Sequence, residues 1–304
     1  MRPVVFTIAI ACLLTATTDA MATYSVVATD SAQRLVGGAG ASCVGSLSVT
    51  IIIGTVEDVG ALHAQSQVDI DLRDEGVRLL RQGESPRSVV ASITAPEFDD
   101  RAAVRQYGVV DLMGRAAGWT GQSNWLHASD RQGTDGVYTY SVQGNVLTGP
   151  AVIEQTERGF IDGGGCDLPE KLMLALEAGA DNGQGDSRCT ALGLPADSAF
   201  IRVVAADRMP VIDLDVTDTA PDDPLVSLRA RFDDWRALHP CPEDPGGDAA
   251  AGDAGSCGPD GSCGVDGPVT SGSCRSSAGD RVDLLLPLLV CLGMWRRRLR
   301  VSPG

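Results

Sequence analysis

A threonine follows the point where a secretion signal is expected to be cut. Arg2 precedes an apolar segment over residues 4–14, and Ala20-Met21-Ala22 places alanines at both recognition positions of a signal peptidase. Cleavage after Ala22 would make Thr23 the first residue of the exported chain. An N-terminal threonine carries a nucleophilic hydroxyl and its own base, an α-amine with a reference pKa of about 7.7–8.0. Such a pair can attack an amide or related acyl carbonyl.

A second cleavage point competes with the first. Thr18-Asp19-Ala20 is a tolerable site, and cleavage after Ala20 would leave Thr23 covered by two residues. Both alternatives remove the apolar segment and export the rest of the chain. Only cleavage after Ala22 frees the α-amine of Thr23.

The amino-acid composition indicates how many domains the chain can form and which classes of binding partner are excluded. The chain has 304 residues, of which 43% are hydrophobic, so one main domain over residues 23–240 is expected. The net charge of −16 argues against nucleic acid, because phosphate binding needs a concentrated basic face. Lys171 is the single lysine and is expected on a surface helix.

The composition changes near Pro240. Residues 241–280 consist mainly of Gly, Asp, Ser, Pro and Cys, which predicts a disordered stalk. Residues 281–304 combine an apolar stretch with an arginine cluster, and together with Cys274 they resemble the MYXO-CTERM sorting tail. That resemblance implies processing near Cys274 and transfer to the cell surface. The alternative is an ordinary weak C-terminal transmembrane anchor.

Six cysteines remain after the removable ends and Cys274 are set aside, and an exported protein normally oxidises them. Cys166 and Cys189 flank a predicted helix and are expected to pair, and Cys257 and Cys263 could close a local loop. Six cysteines nevertheless allow 15 connectivities. Cys43, in an apolar, glycine-rich setting, is an alternative nucleophile but is expected to be a buried, inert thiol. No CxxC spacing or nearby histidine indicates a metal site, and no cofactor is expected.

Hydrophobic periodicity predicts strands in closely spaced pairs, separated by pairs of helices. Strands are expected near 24–29, 34–41, 47–53, 59–65, 106–112, 115–120, 137–142, 199–206 and 209–216. Helices are expected over 72–80, 89–93, 150–160, 168–180 and 223–238. This order predicts an α+β fold in four αββα layers, with two antiparallel sheets between helices.

Four segments carry a resemblance to a known family: residues 23–30, 108–115, 143–149 and 185–188. Together they resemble domain-of-unknown-function family 1028, over about residues 23–238. The resemblance implies an Ntn-hydrolase-like fold, in which an N-terminal nucleophile faces a cleft between the sheets. It implies no particular substrate.

Candidate site residues follow from the chemistry and from this resemblance. Thr23 is the expected nucleophile, Asn145 the expected oxyanion donor, and Asp30 either orients the amine or caps the first turn. The candidate substrate-binding residues are Ser42, Gln65, Gly144, Asp186 and Arg188. Gln65 could equally satisfy backbone groups, and Asp186 with Arg188 could be a structural ion pair.

Other reactive residues are weaker candidates. His63 and His127 are expected to be packing or surface residues, because no Ser, His and acid spacing assembles a triad. The sequence therefore predicts an exported amide hydrolase that acts on a small-molecule or cell-envelope substrate after signal peptidase and the sorting machinery have processed the chain. It would reside at the cell surface, attached to the outer membrane, or be secreted. The alternative is a non-catalytic binding or structural module displayed on the surface.

Overall fold

Strands and helices alternate in groups along residues 23–207 and 209–241, which this computed structural model describes. The strands are β1 (Thr23–Asp30), β2 (Leu35–Ser42), β3 (Ile53–Val56), β4 (Gly60–Ser66), β5 (Arg105–Asp111), β6 (Ala116–Thr120), β7 (Ser129–Asp135), β8 (Tyr138–Asn145), β9 (Ser198–Val204) and β10 (Pro210–Val216). The helices are α1 (Ile70–Arg81), α2 (Pro86–Ile93), α3 (Ala151–Asp162), α4 (Leu168–Ala180) and α5 (Pro224–Leu238). Predictions for residues 1–22 and 242–304 lie outside the described residues.

The strands form two antiparallel sheets, as predicted. The large sheet has the order β10-β9-β2-β1-β8-β7, and the small sheet has the order β3-β4-β5-β6. β1 therefore lies in the interior of the large sheet, paired on one side with β2 and on the other with β8. All the pairings are antiparallel, which fits strands joined by short hairpin connections.

Each sheet has one face covered by helices. In β1, Tyr24, Val26 and Ala28 belong to the apolar core shared by the large sheet with α3, α4 and α5. On the small sheet, Leu62 and Tyr107 belong to a second core with α1 and α2. The intervening residues of each strand point to the opposite face, because side chains alternate along a strand. The protein is therefore an α+β fold in which the two sheets lie between helical layers.

The faces that the two sheets present to each other are partly polar. A small apolar cluster of Val27, Val36, Ala61, Val110 and Val204 fills one part of this layer. Buried polar side chains fill another part: Thr23, Ser25, His63, Gln65, Gln106, Ser141, Gln143 and Asn145. Because a buried polar group without a partner destabilises a fold, these side chains must bond one another or the backbone.

Capping residues and prolines in the sequence determine where most of the helices begin. The carboxylates of Asp69, Asp167 and Asp223 and the hydroxyl of Ser85 accept backbone N–H groups at the starts of α1, α4, α5 and α2 respectively. Three of these helices also have proline in the first turn, where no intrahelical donor is lost. Among the described residues, no helix has the length and apolar character needed to cross a bilayer.

Two element predictions need correction. The strand expected over 47–53 is a 3₁₀ turn at Val49–Ile52 followed by β3, and the Ser48 hydroxyl caps that turn by accepting the N–H of Thr50. β7 was not predicted, because its sequence SDRQGTD has no apolar alternation. It lies at an edge of the large sheet, where its side chains are partly or fully exposed.

Lys171 was predicted on the surface and is buried. Its ammonium donates to the carboxylate of Asp135 at 2.9 Å and to the carbonyl of Phe160 at 2.9 Å, and it lies 5.0 Å from the ring centroid of Tyr138. Because these partners satisfy the charge, α4 can bury this lysine against β7 and α3. Lys171 therefore holds helices to the sheet and takes no part in the site.

Candidate functional site

Thr23 is the first residue of β1, and its side chain points into the layer between the sheets. The residue is fully buried, and its hydroxyl donates to the hydroxyl of Ser42 at 3.2 Å. Ser42 is the last residue of β2, which runs antiparallel beside β1. The pairing of neighbouring strands thus brings together two hydroxyl groups that are 19 residues apart.

Asn145 lies opposite Thr23 on the other side, at the end of β8. Its amide nitrogen donates to Oε1 of Gln106 at 3.1 Å. Its Oδ1 is buried and has no hydrogen-bond partner among the described residues. Gly144 precedes it, and a Cβ added there would lie 2.8 Å from the side chain of Leu147. Gly144 therefore serves packing beneath the site, since its missing side chain makes room for Leu147.

Gln65 joins the small sheet to the backbone of Thr23. Its Nε2 donates to the carbonyl of Thr23 at 3.2 Å and to Oε1 of Gln106 at 2.9 Å, while its Oε1 accepts the hydroxyl of Ser25 at 2.6 Å. Gln65 therefore satisfies a backbone group, the carbonyl of Thr23, as one of its two sequence interpretations predicted. Its role in substrate binding stays a prediction.

The loop after α4 approaches the end of β2, beside the start of β1. Asp186 is fully buried, and its carboxylate accepts the N–H of Cys43 at 2.6 Å and the guanidinium of Arg188 at 2.8 Å. The same guanidinium lies 3.5 Å from the hydroxyl of Ser42. Asp186 and Arg188 therefore form an ion pair that reaches the hydrogen-bond partner of Thr23.

The disulfides differ from the predicted pairing. Cys43, expected as a free buried thiol, is bonded to Cys189, and Cys166 is bonded to Cys241. The predicted pair Cys166–Cys189 is wrong, because Cys189 lies in the 3₁₀ turn after Asp186, beside the end of β2. The Cys43–Cys189 bond fastens the loop that carries Asp186 and Arg188 to the strand that carries Ser42. Cys257, Cys263 and Cys274 lie outside the described residues.

Asp30 does not join this group. It ends β1, seven residues from Thr23, and about 3.3 Å per residue places it about 23 Å away. Its buried carboxylate accepts the N–H groups of Ala32 and Gln33 at 2.8 and 2.9 Å. The contacts of Asp30 are those of a residue that caps the β1–β2 turn.

His63 lies between the sheets, next to Ser25. Its Nδ1 is 2.9 Å from the Ser25 hydroxyl, and burial lowers the pKa of the imidazole to about 3, so the ring is neutral. The Ser25 proton goes to Oε1 of Gln65, so Nδ1 of His63 must carry the proton that it shares with Ser25. With Nδ1 protonated, His63 cannot remove a proton from Ser25. The pair is therefore structural, and the other candidate, His127, is exposed.

Sequence reasoning missed three buried members of this layer: Ser25, Gln106 and Gln143. Gln143 donates to the Ser25 hydroxyl at 2.7 Å and accepts from Ser141 at 2.8 Å. A signal was present, because polar residues recur at two-residue spacing in Thr23/Ser25, His63/Gln65 and Gln143/Asn145. Such spacing places polar groups on one face of each strand.

One group of potential metal ligands occurs within the described ranges, formed by Cys43, Cys189 and Asp197. The two sulfurs are bonded to each other, and the Asp197 carboxylate accepts the N–H groups of Val44 and Gly45 at 2.8 and 2.9 Å. These three residues therefore hold the chain after β2 in place.

Comparison with known proteins identifies the family. The crystal structure of protein SPO2555 from Silicibacter pomeroyi, a DUF1028 protein, is similar with a TM-score of 0.57 and 26% identity, over 71% of this chain and 89% of that chain. No curated protein matches the chain. Residues 23–228, well over half of the chain, match the family described as "Family of unknown function (DUF1028)". The chain therefore belongs to DUF1028, a family of unknown function.

Proposed function

We propose that this protein is an exported hydrolase of an amide or related acyl bond, with Thr23 as an N-terminal nucleophile. The observation that carries the proposal is the convergence on Thr23 of buried polar side chains from separate segments: Ser42, Gln65 and Asn145. One further observation supports it. The family match begins at residue 23, directly after the expected cleavage site.

The proposed reaction uses one residue as nucleophile and base. The free α-amine removes the proton of the Thr23 hydroxyl, and the oxygen attacks the acyl carbon. The bond to the leaving group then breaks, and the leaving amine takes the proton from the ammonium. Water attacks the resulting ester, which releases the acid and restores the hydroxyl. The Arg188–Asp186 pair and the Cys43–Cys189 bond hold Ser42 and Thr23 in place during these steps.

Export is part of the proposal. Two disulfides fit an oxidising compartment, and the Ala20-Met21-Ala22 segment supplies the cleavage site. Signal peptidase, the sorting machinery and a small-molecule or cell-envelope amide are the proposed partners. The same proposal includes an Ntn-hydrolase-like fold, a C-terminal anchoring tail, and a cell-surface location after processing near Cys274.

The experiment labels the exported full-length protein. Its N-terminus is read by mass spectrometry, and the protein is then treated with a panel of β-lactones, which acylate activated hydroxyl groups. We expect Thr23 at the N-terminus, one adduct on Thr23, and no adduct in Thr23→Ala. Thr29→Ala is the matched control, because Thr29 is a buried threonine on the same face of β1 that bonds the carbonyl of Asp111. An N-terminus at Met21, or equal labelling of Thr23→Ala, would overturn the proposal.

A second candidate function is ligand binding without turnover. A cavity of about 390 Å³ opens beside β6 and is lined by Trp119, Thr120, Gln122 and Asp100. The Trp119 indole donates to the carbonyl of Ala102, which holds the ring in place. Binding of a soluble muropeptide, measured by titration calorimetry, would favour this function if Trp119→Ala loses it and Thr23→Ala retains it.

A further inference from the structure

Gln106, in β5 of the small sheet, is hydrogen-bonded to Asn145 of the large sheet. Its Oε1 accepts from Gln65 at 2.9 Å and from Asn145 at 3.1 Å. Its Nε2 lies 2.8 Å from the carbonyl of Gly144, 3.1 Å from the carbonyl of Ser129 and 2.9 Å from the hydroxyl of Thr120. The side chain is fully buried, and these five groups are its hydrogen-bond partners.

These contacts determine which way the Asn145 amide faces. Backbone carbonyls can only accept, so the atom of Gln106 beside Gly144 and Ser129 must be the nitrogen, and the atom beside Asn145 must be the oxygen. Asn145 must therefore turn its nitrogen toward Gln106. Its oxygen is then directed elsewhere, and this buried oxygen has no partner within the described part of the chain.

Cleavage before Thr23 would create a donor on the residue directly opposite. In the pairing of β1 with β8, Thr23 is the register partner of Asn145. A peptide N–H becomes an α-amine with additional N–H groups, and a buried carbonyl oxygen without a partner is the acceptor that such a group requires.

We propose that Gln106 is a positioning residue that orients Asn145 so that its Oδ1 accepts a hydrogen bond from the α-amine of mature Thr23. The inference rests on the proposed function and assigns Asn145 a role different from the oxyanion donor expected from sequence. The amine, held by Asn145, keeps its lone pair available to the Thr23 hydroxyl. Gln106 touches neither the amine nor the substrate and acts through Asn145.

The test measures two rates on the exported full-length protein as a function of pH: acetylation of the Thr23 α-amine by acetic anhydride, and acylation of the Thr23 hydroxyl by a β-lactone. We expect Gln106→Ala to lower hydroxyl acylation at least tenfold and to shift the midpoint of amine acetylation to lower pH, because the ammonium loses an acceptor. Gln143→Ala is the matched control, since it truncates a buried glutamine on the same layer that bonds Ser25. It is expected to leave both profiles unchanged.

A second variant distinguishes the two possible roles of Asn145, acceptor from the α-amine and oxyanion donor. It also replaces Gln106→Ala as the test if that variant does not fold. Asn145→Asp keeps an acceptor and loses the donor. We expect it to shift the amine midpoint to higher pH and to reach a plateau of hydroxyl acylation within tenfold of wild type. A plateau reduced by a hundredfold or more indicates an oxyanion donor and overturns the inference.

The failures of the two proposals are distinguishable. Equal profiles for Gln106→Ala and Gln143→Ala, with Thr23 acylated in wild type, overturn the inference alone. A wild-type protein with a free Thr23 amine and no hydroxyl acylation at any pH overturns the proposed function. In that case the pH dependence of amine acetylation still tests the contact between the amine and Asn145. If the acetylation midpoint is the same in wild type, Gln106→Ala and Asn145→Asp, the contact is absent.

Discussion

The hydroxyl of Thr23 donates to the hydroxyl of Ser42 across 3.2 Å, at the end of the first hairpin where β2 leaves the sheet. Ser42 in turn lies 3.5 Å from the guanidinium of Arg188. The side chain that bonds the proposed nucleophile is therefore linked to an ion pair whose carboxylate, that of Asp186, is fully buried. This link fixes the position of Ser42, so the effect of its hydroxyl on the reactivity of Thr23 can be measured.

Ser42→Ala should slow acylation of Thr23 by about fivefold to tenfold, because one hydrogen bond is worth about 1 kcal/mol. The measurement is the rate of β-lactone labelling followed by mass spectrometry. Ser198→Ala is the matched control, since Ser198 is the buried register partner of Ser42 in β9 and bonds the carbonyl of Gly45. An unchanged rate for Ser42→Ala would show that the Thr23 hydroxyl does not depend on this contact.

Loss of the Cys43–Cys189 disulfide should affect both stability and labelling. The bond joins residues 146 positions apart, and its removal should lower the free energy of unfolding by about 2–5 kcal/mol. Labelling of Thr23 should also slow, because the loop with Asp186 and Arg188 loses its covalent attachment. Urea titration and β-lactone labelling of the Cys43→Ser, Cys189→Ser double variant measure the two effects.

The second disulfide supplies the control. The Cys166→Ser, Cys241→Ser variant should lose stability while labelling at the wild-type rate, because Cys166 lies between α3 and α4 and Cys241 follows α5. Peptide mapping without reduction should recover both pairs. Recovery of a Cys166–Cys189 peptide would contradict the structure.

Gly38→Ala should destabilise the protein, because β2 passes very close to His63. A Cβ at Gly38 would lie 2.4 Å from Nε2 of His63 and 2.8 Å from the carbonyl of Val26. Overpacking of this kind costs about 1–3 kcal/mol. Gly149→Ala is the control, since its one contact would lie at 3.6 Å. Urea unfolding that finds the two variants equally stable would refute the close approach of the sheets.

His63 should make stability depend on pH below neutrality. Burial lowers the pKa of His63 to about 3, whereas an unfolded histidine has a pKa of about 6.5. The unfolded chain therefore binds the extra proton between these values. The contribution of neutral His63 is fully present above pH about 6.5 and is lost as the pH falls toward about 3, by up to about 1.4 kcal/mol per pH unit.

His63→Asn tests this dependence, because an amide nitrogen can replace the Nδ1 donor to Ser25 without titrating. We expect the free energy of unfolding of the variant to fall less steeply than that of wild type between pH 6 and pH 4 in urea titrations. His127→Asn, a change of an exposed side chain, is the matched control. Parallel curves for wild type and His63→Asn would mean that His63 is already charged in the folded protein.

Local patterns in the sequence predicted most of the elements. Strand pairs such as β1 with β2, and helices such as α4 with its Asp167 cap, are encoded by alternation and by capping residues a few positions apart. The pattern failed at β7 because an edge strand buries too little to need apolar alternation. It failed at Lys171 because the partners that neutralise this charge lie on other elements.

Periodicity predicts the α+β order of the elements, and the two-residue spacing of polar residues puts them on one face of β1, β4 and β8. The sequence does not reveal that Cys43 pairs with Cys189 or that Asn145 donates to Gln106, and the three-dimensional arrangement of the sheets is needed to show both contacts. Periodicity and caps act within a few residues, whereas these two contacts join residues 39 and 146 positions apart and so depend on sheet order.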